Sequence, residues 1–310
     1  MLIGVTVPNA GPLARTDALV KLAVDAEEAG FDSVWVVDHL IIPAESAQTY
    51  PYARQAGMPL SPDWAFLEPL IALAAIASRT NRVLLGTGVY LLPLRHPLVT
   101  AKAAASLDVL SGGRLLLGVG LGWISEEYAA MGVPWAERGR ITDEQIGLLR
   151  ALWREERPRF EGDYWTLGGF GFEPKPADEH IPILIGGNEA PARRRAARMG
   201  DGWHLIDLEP AELAIRAEAL VVDCAAVGRS DRPTLSMYAS IAVSEHPVAD
   251  AHRQFPLMGS VDQIAVRLIE YREAGLGHIV LAARGLATIQ AYEELFAIIR
   301  DEIIPRTRQE

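Results

Sequence analysis

The stretch Ser33-Val34-Trp35-Val36-Val37-Asp38-His39-Leu40 decides how the rest of the chain is interpreted. Its apolar core is β-branched or aromatic and does not alternate with polar residues, which is typical of a parallel strand covered on both faces. The stretch then ends on two polar side chains, Asp38 and His39. In α/β proteins the carboxyl ends of parallel strands open into the crevice where ligands bind. We therefore expect an active site at this strand end.

Strand patterns of this kind alternate with amphipathic helical patterns along the chain. Eight strands, each followed by a helix, predict an α/β fold, a single (β/α)8 TIM barrel over residues 1–310. The predicted strands are Leu2–Pro8, Ser33–His39, Arg82–Val89, Arg114–Gly122, Pro182–Gly187, Gly202–Asp207, Thr234–Val243 and His278–Ala283. The predicted helices are Thr16–Ala29, Leu67–Ser78, Pro97–Leu110, Glu137–Trp153, Pro191–Met199, Pro210–Val227, Ser260–Ala274 and Thr288–Asp301.

Four connections are longer than such a barrel needs. Three of them follow strands, so we expect insertion loops at the C-terminal mouth, where long loops act as lids or pocket walls. These three are Ile41–Phe66, Gly122–Ala136 and Glu245–Gly259, and the fourth, Arg157–Ile181, precedes a strand.

Composition excludes several classes of partner. Half of the 310 residues are hydrophobic, and the formal net charge of −11 disfavours nucleic acid and anionic membrane surfaces. No apolar run approaches the roughly 18 residues that span a bilayer. The lone Cys224 has no disulfide partner and is expected to be buried. The chain enters a strand at once without a basic leader, so we expect a cytoplasmic protein.

His39 is the leading catalytic candidate, because an imidazole titrates near neutral pH and can donate or accept a proton. Asp38 beside it points to the other side of an extended strand, so separate roles are expected. The alternatives are a cap or loop role for His39 and a loop anchor for Asp38. Other histidines, at positions 96, 204 and 278, are expected in core or cap roles, and no spacing indicates a metal site.

Glycines interrupt the third and fourth strands. Gly86 and Gly88 stand in the third strand, and Gly118 and Gly120 in the fourth. Glycine weakens a strand unless it forms a bulge or lets a flat group approach the backbone, so we interpret these positions as clearance for a planar ring. The fourth strand is a poor dinucleotide fingerprint, because the third glycine of that motif is replaced by Trp123.

The fifth strand ends in Gly186-Gly187-Asn188 before a helix that carries Arg193 in a run of three arginines. Free backbone N–H groups at such a junction bind phosphate. The alternative for the arginines is a solvated basic face. Trp64 and Trp123 fall in mouth loops, where they are expected to line an apolar pocket. Asp108 and Arg114 flank a turn that we expect an ion pair to hold.

An ordered set of these motifs resembles the bacterial luciferase-like monooxygenase superfamily, and within it the oxidoreductases that use coenzyme F420, a deazaflavin. The set runs from the first strand to the last helix and comprises Gly30 to His39, Gly86 to Val89, Arg95-His96-Pro97, Ser111 to Trp123 and Ile185-Gly186-Gly187.

This resemblance implies a deazaflavin ring at the barrel mouth, with FMN as the alternative cofactor. It also implies a bulge with a non-prolyl cis peptide at Gly88-Val89, supporting the ring from behind. By the same resemblance, His39 transfers the proton and Arg193 meets the acidic tail of the coenzyme. The implied cofactor contacts are Asp38, Thr87, Gly88, Val89, Gly120, Gly186, Gly187, Asn188 and Arg193.

One position departs from the family. Relatives that oxidise sugar phosphates carry a glutamate directly after the glycine run of the fourth strand, where this chain has Trp123, with Glu126 and Glu127 further on. A more apolar substrate is therefore expected, in a pocket lined by Trp64, Trp123 and Glu126.

Three functions follow as hypotheses. The first is hydride transfer between F420 and a small organic substrate, with His39 as proton donor or acceptor. The second is an FMN-dependent two-component monooxygenase, which would need a separate reductase. The third is a non-catalytic flavin- or phosphate-binding barrel. A homodimer is common in the resembled family and is expected here.

Overall fold

All eight predicted strands form in the computed structural model, which describes residues 1–44, 60–283 and 286–307. They pair in parallel in chain order, and the last pairings, Leu2 with His278 and Thr234 with Gly202, close the sheet into a barrel. The fold prediction is confirmed. The strands are β1 (Leu2–Thr6), β2 (Ser33–Val36), β3 (Leu84–Thr87), β4 (Leu115–Gly120), β5 (Ile183–Gly186), β6 (Gly202–Ile206), β7 (Thr234–Val243) and β8 (His278–Ala283).

A helix follows each strand. Pro97 and Pro210 occupy first helical positions, where the missing N–H costs nothing, and Ser260 forms the predicted capping box with Gln263. The barrel helices are α1 (Thr16–Glu28), α2 (Pro69–Ala77), α3 (Pro97–Ser111), α4 (Arg138–Arg154), α5 (Ala190–Met199), α6 (Pro210–Ala226), α7 (Val261–Glu273) and α8 (Ile289–Ile298).

Shorter pieces decorate the connections. A helix at Ser125–Met131 lies between β4 and α4, and an antiparallel pair of Phe160–Glu161 with Thr166–Leu167 lies between α4 and β5. The segment Leu257–Gly259 pairs with β7. Part of the predicted loop Ile41–Phe66 lies outside the described residues. Among the helices that the structure describes, none is both long enough and apolar enough to cross a bilayer.

The inside of the barrel is packed separately from the layer between strands and helices. Its core is Trp35, which is fully buried against Leu184 and Val280. The Trp35 indole Nε1 donates to Ser33 Oγ at 2.8 Å, so its polar atom is satisfied. A Cβ placed on Gly86 would lie 2.2 Å from Trp35 Cδ2. The glycine is therefore needed for the indole to fill the barrel.

Two histidines pack beside this tryptophan. The His204 ring stacks on Trp35 with centroids 4.9 Å apart, and its Nδ1 lies 2.9 Å from Ser236 Oγ. His278 Nε2 lies 2.7 Å from Ser33 Oγ. Burial lowers the pKa of His204 to about 3 and that of His278 to about 4, so both rings stay neutral. Their predicted core role is confirmed.

Of three further predictions, two are confirmed and one is wrong. Cys224 is buried, and His96 caps α3 by accepting from Leu98 N at 3.3 Å, as expected. The ion pair expected between Asp108 and Arg114 is wrong. Asp108 accepts from backbone amides, while Arg114 donates to five carbonyl and hydroxyl oxygens at the end of α3, at the end of α2 and in the segment that follows α2, which satisfies its buried guanidinium without a carboxylate.

Candidate active site at the barrel mouth

The barrel mouth is the end at which the carboxyl ends of the strands lie. Below it, Trp35 and its neighbours close the interior. At the mouth, by contrast, the inward-facing residues are only half-buried, and this holds for Thr6, Val37, Ile206 and Tyr238. The barrel is therefore solid at its centre and open at this end, which is where TIM-barrel enzymes bind ligands.

The predicted bulge forms part of the floor of this mouth. The Gly88-Val89 peptide is cis, as predicted, and Gly88 N donates to Val36 O at 2.8 Å. A Cβ on Gly120 would lie 2.2 Å from Val89 Cγ2, and one on Gly186 would lie 2.7 Å from Val89 Cγ1. These two glycines therefore leave the space in which the Val89 side chain rests.

The interpretation of the strand glycines as direct clearance for a bound planar ring is wrong for Gly86, Gly118 and Gly120, and for Gly88 it stays a prediction. Gly86 makes room for Trp35, and Gly118 for the Thr87 carbonyl, which a Cβ would approach to 2.0 Å. The crowding groups belong to the protein itself, because the glycines of the third to fifth strands admit the barrel core and the bulge. Only Gly88 and Val89 themselves face the half-exposed mouth.

His39 is held at this mouth by a carboxylate that the sequence analysis did not select. His39 Nδ1 lies 2.9 Å from Glu127 Oε2, and the Glu127 side chain is completely buried while that of His39 is 9% exposed. Glu127 Oε1 also accepts from Leu40 N at 2.7 Å. An ionised Glu127 can only accept, so in that state the contact would place the ring proton on Nδ1 and leave Nε2 for a further partner.

Two aromatic rings meet the same imidazole. The ring centroids of Phe66 and Trp123 lie 5.7 and 5.9 Å from that of His39, and both planes stand at 89° to it. Such edge-to-face contacts restrict rotation of the imidazole and exclude water from its faces. Trp123 thus lies at the candidate site. Trp64 is 38% exposed and packs on Gly11, which a Cβ would bring to 3.7 Å from the indole.

Glu127 had no local signal of its own. It lies in the first turn of the helix Ser125–Met131, which begins two residues after Trp123, so helical spacing does not relate the two side chains. Glu126, which the sequence analysis favoured, is half-buried and accepts from Ser125 Oγ at 3.1 Å. Its place in the substrate pocket stays a prediction.

Asp38 has a buried partner of its own. Its two oxygens accept from the Arg95 guanidinium at 2.6 and 2.8 Å, and Oδ2 also accepts from Leu91 N at 2.8 Å. The Asp38 side chain is fully buried. A bidentate pair of this kind fixes the segment that follows the bulge. These contacts correspond to the loop-anchor alternative, and a contact between Asp38 and a cofactor stays a prediction.

Asn9 was missed by the sequence analysis. Its side chain accepts from Val37 N at 2.9 Å and donates to Val37 O at 2.7 Å, like a neighbouring strand. It also donates to Leu67 O at 3.0 Å. Asn9 therefore ties the loop after β1 to the end of β2, directly before Asp38 and His39. A lone asparagine after a strand gives no sequence signal for such a bracket.

The junction of β5 and α5 differs in part from the prediction. The Gly187 N–H donates to His204 O at 3.0 Å, so the expectation that this N–H is free for phosphate is wrong. The Asn188 side chain pairs with both backbone groups of Ile206 at 2.8 Å. Arg193 Nε donates to Asp223 at 2.8 Å. The first turn of α5 still points backbone N–H groups towards the mouth, so phosphate binding there stays a prediction.

Asp207, at the exit of β6, has an unusual backbone conformation and a defined hydrogen-bond partner. Asp207 has a φ of 46°, in the left-handed region that few non-glycine residues adopt. Its Oδ1 accepts from Ser240 N at 2.6 Å and its Oδ2 from Ser240 Oγ at 2.7 Å. The carboxylate thereby joins β6 to β7 at the mouth.

Within the described ranges, no group of three or more His, Cys, Asp or Glu side chains is placed to hold a metal ion.

Comparison with known proteins gives a consistent result. Residues 3–255 match the model of the luciferase-like monooxygenase family. The chain is 31% identical to an F420-dependent glucose-6-phosphate dehydrogenase of Amycolatopsis mediterranei, over 94% of each chain.

Two solved structures share the fold at low identity. An F420-dependent secondary alcohol dehydrogenase in complex with an F420–acetone adduct superposes with a TM-score of 0.78 at 21% identity, over 99% of both chains. The FMN complex of the oxygenating constituent of 3,6-diketocamphane monooxygenase of Pseudomonas putida gives 0.76 at 16%, over 99% of this chain and 98% of that one. The family model matches most of the length of this barrel, and the chain is therefore an oxidoreductase that belongs to the luciferase-like monooxygenase family.

Proposed function

We propose that this protein transfers a hydride between coenzyme F420, an 8-hydroxy-5-deazaflavin, and a small organic substrate, with His39 as proton donor or acceptor. The observation that carries the proposal is the His39–Glu127 pair at the carboxyl end of β2, in which Nδ1 is held by the carboxylate and Nε2 is the other ring nitrogen. The relative named as an F420-dependent dehydrogenase supports the choice of cofactor.

The residues at the mouth fit such a ring. The cis peptide and the Val89 side chain would give a mostly apolar support. Val89 fits there because Gly120 and Gly186 carry no side chains. The first turn of α5 would bind the phosphate through backbone N–H groups, with Asn188 beside it, whereas Asp38 and Thr87 would lie nearer the ring. When bound, the coenzyme supplies a two-electron hydride acceptor or donor.

The protein's own groups then have distinct tasks. Glu127 fixes the His39 tautomer so that Nε2 faces the ligand. In the direction of alcohol oxidation, Nε2 accepts the hydroxyl proton, and in the reverse direction it returns that proton to the carbonyl oxygen. Phe66 and Trp123 keep water from the imidazole faces. Asp38 and Arg95 hold the chain on either side of the bulge in place.

Cofactor titration tests the proposal. The purified protein is titrated with F420 and separately with FMN while tryptophan fluorescence and the cofactor absorption spectrum are followed. We expect saturable quenching by F420 and a weaker response to FMN. Failure of both cofactors to bind would contradict the proposal.

The second candidate is an FMN-dependent monooxygenase with a separate reductase. The family match and the fold shared with an FMN-bound monooxygenase favour it as the alternative. Tighter binding of FMN than of F420, with oxygen consumed by the reduced protein, would select this function. A non-catalytic barrel would bind a cofactor but lose nothing measurable on replacement of His39.

We also propose a homodimer. Helices α2 and α3 expose Ile71 at 70%, Val99 at 67% and Leu110 at 75%, and a second copy of the chain could cover these apolar side chains. Light scattering on the eluted protein should give twice the chain mass of 33.7 kDa. A mass equal to one chain would contradict the dimer.

A further inference from the structure

One glycine of the barrel mouth differs from the others in what surrounds it. A Cβ would lie 2.0 to 2.7 Å from another protein atom at four strand glycines, Gly86, Gly118, Gly120 and Gly186. A Cβ on Gly88 would meet nothing closer than 3.5 Å, which is ordinary van der Waals contact, and the φ of Gly88 lies outside the left-handed region. The nearest atoms of the described residues therefore do not explain why position 88 is a glycine.

The space beside Gly88 is bounded by three aromatic rings. The position of that Cβ lies 3.5 Å from His204 Nε2, 3.5 Å from Trp35 Cε3 and 4.0 Å from Tyr238 Cδ2. Gly88 and Tyr238 are half-buried, so this space lies where the packed interior meets the open mouth. One atom of the size of carbon or oxygen fits there in ordinary contact with the three rings.

His204 presents an unpaired nitrogen at this space. The residue is 1% exposed, and its Nδ1 lies 2.9 Å from Ser236 Oγ. Its Nε2 is buried and has no hydrogen-bond partner among the described residues. A buried polar atom without a partner is costly and rare in native proteins, so it calls for an explanation. A phenylalanine ring would stack on Trp35 in the same way without burying a nitrogen.

The His204 ring suits an uncharged oxygen as its missing partner. Burial lowers the pKa of His204 to about 3, so the imidazole is neutral and carries one N–H. The Ser236 hydroxyl can donate or accept, so the proton lies on Nδ1 or on Nε2. Nε2 therefore accepts from a hydroxyl group in one tautomer and donates to a carbonyl oxygen in the other.

We propose that His204 is a ligand-binding residue, whose Nε2 forms a hydrogen bond with an uncharged carbonyl or hydroxyl oxygen that the molecule in the mouth inserts beside Gly88. Gly88 leaves the room for this oxygen, and stacking on Trp35, with ring centroids 4.9 Å apart, holds the imidazole in place. The inference deepens the proposed function and rests on it, because the cofactor or the substrate supplies the oxygen.

NMR of the unaltered protein tests the contact directly. The histidine rings are labelled with the NMR-active nitrogen isotope, and their resonances are assigned from the spectra of His204→Phe and His278→Phe. Spectra are recorded without ligand, with saturating F420, and with F420 and cyclohexanone together, and a parallel series uses FMN. We expect the Nε2 resonance of His204 to shift more than its Nδ1 resonance, because only Nε2 gains a partner. A ring current alone would move both nitrogens by similar amounts.

The series distinguishes the two sources of the oxygen. A shift that is complete with F420 or FMN alone assigns the oxygen to the cofactor ring. A shift that appears only after cyclohexanone is added assigns the oxygen to the substrate. Either result supports the proposed contact.

Variants give an independent readout, the affinity for the molecule that shifts the resonance. Gly88→Ala places a methyl group where the oxygen would lie, and His204→Phe keeps a stacked ring without the nitrogen. Each should weaken binding about tenfold, the usual effect of losing one buried hydrogen bond. His278→Phe is the matched control. His278 is 3% exposed and packs against Trp35, with ring centroids 5.5 Å apart, but its Nε2 is already paired with Ser33 Oγ. Circular dichroism confirms that each variant is folded.

The outcomes separate this inference from the proposed function. An unchanged His204 spectrum in protein that the titration shows to be saturated would overturn the inference and leave the proposed function in place. The same holds if Gly88→Ala and His204→Phe bind as tightly as the His278→Phe control. Failure of both F420 and FMN to bind would overturn the proposed function together with the inference.

Discussion

A single buried carboxylate does two things at once for His39. Glu127 accepts from the imidazole Nδ1 and from the Leu40 backbone N–H, so it sets the proton position on the ring and the path of the chain that carries it. A carboxylate with no exposure to water has to be satisfied by such donors. The pair therefore behaves as one preorganised unit, in the way that a carboxylate orients a catalytic histidine elsewhere.

Replacement of His39 tests its proposed role as proton carrier. His39→Asn should reduce turnover by roughly 10²- to 10⁴-fold, the usual contribution of a general acid or base. Affinity for the cofactor should change little, because the proposed support of the ring is the bulge and not this imidazole. Steady-state kinetics and the cofactor titration provide the two measurements. Unchanged turnover would support the non-catalytic alternative instead.

Replacement of Glu127 tests tautomer control. Glu127→Gln still offers an oxygen to Leu40 N but presents an amide N–H to His39 Nδ1, which favours the proton on Nε2. We expect kcat to fall by at least tenfold with a much smaller change in KM, and Glu127→Asp to retain an intermediate activity. Glu218→Gln, on the exposed face of α6, is the control. An equal loss of kcat in Glu127→Gln and in the Glu218→Gln control would contradict the assignment.

At this scale the sequence predicted part of the site. His39 could be found because a proton-active side chain at the end of a buried strand is a local pattern. The contacts of Glu127 and Asn9 join residues 88 and 28 positions away in the chain, and only the closed barrel brings them together. Glu127 lies in the first turn of a short helix, and no local pattern connects it to His39.

Among the elements, β3 and the bulge that follows it determine the shape of the mouth. Val89 rests in space left by one glycine from β4 and another from β5, so three consecutive barrel strands cooperate in one support. The sequence indicated that these strands need glycine, yet it could not show what occupies the space. Trp35, which needs the space at Gly86, lies on β2. Val89, which needs the space at Gly120 and Gly186, follows the end of β3.

A double-mutant cycle tests this support. Gly120→Ala forces a Cβ to within 2.2 Å of Val89 Cγ2 and should cost about 1–3 kcal/mol of unfolding free energy, the usual effect of overpacking. Val89→Ala should remove most of that cost in the double variant. Urea unfolding measures all four proteins. Gly147→Ala, on the exposed face of α4, should be neutral or slightly stabilising.

Additive effects of Gly120→Ala and Val89→Ala would contradict the packing described for the bulge. Cofactor affinity gives a second readout, since displacement of Val89 should weaken binding in Gly120→Ala and spare it in Gly147→Ala.

For the whole molecule, the strand–helix alternation was enough to predict the barrel, because each βα unit is a local pattern repeated eight times. The mouth could not be predicted to the same depth, since its loops make contacts that depend on the closed fold. We propose that residues 1–310 act as one domain, in which the pairing of β8 with β1 makes closure all-or-none.

The neutral histidines inside the barrel predict how stability depends on pH. His204 and His278 have folded pKa values of about 3 and about 4, whereas an unfolded chain binds their protons near 6.5. The unfolded state therefore takes up more protons on acidification. The contribution of these two neutral histidines to the free energy of unfolding is complete above about pH 6.5 and falls towards pH 4. The loss should be on the order of a few kcal/mol.

Urea unfolding at several pH values measures this effect, and a single cooperative transition is expected. His204→Gln should reduce the slope between pH 6.5 and 4, whereas His246→Gln, on an exposed loop, should leave it unchanged. A slope that is insensitive to His204→Gln would show that other groups cause the acid sensitivity.

Asn9 and Glu127 fix the two ends of the segment between β2 and α2. Glu127 accepts from Leu40 N just after β2, and Asn9 exchanges hydrogen bonds with Leu67 just before α2. Both ends of this interval are therefore fixed to neighbouring elements by hydrogen bonds of their own. We expect that exchanging residues between these anchors, with Phe66 retained, would alter the substrate range and leave the His39–Glu127 pair in place.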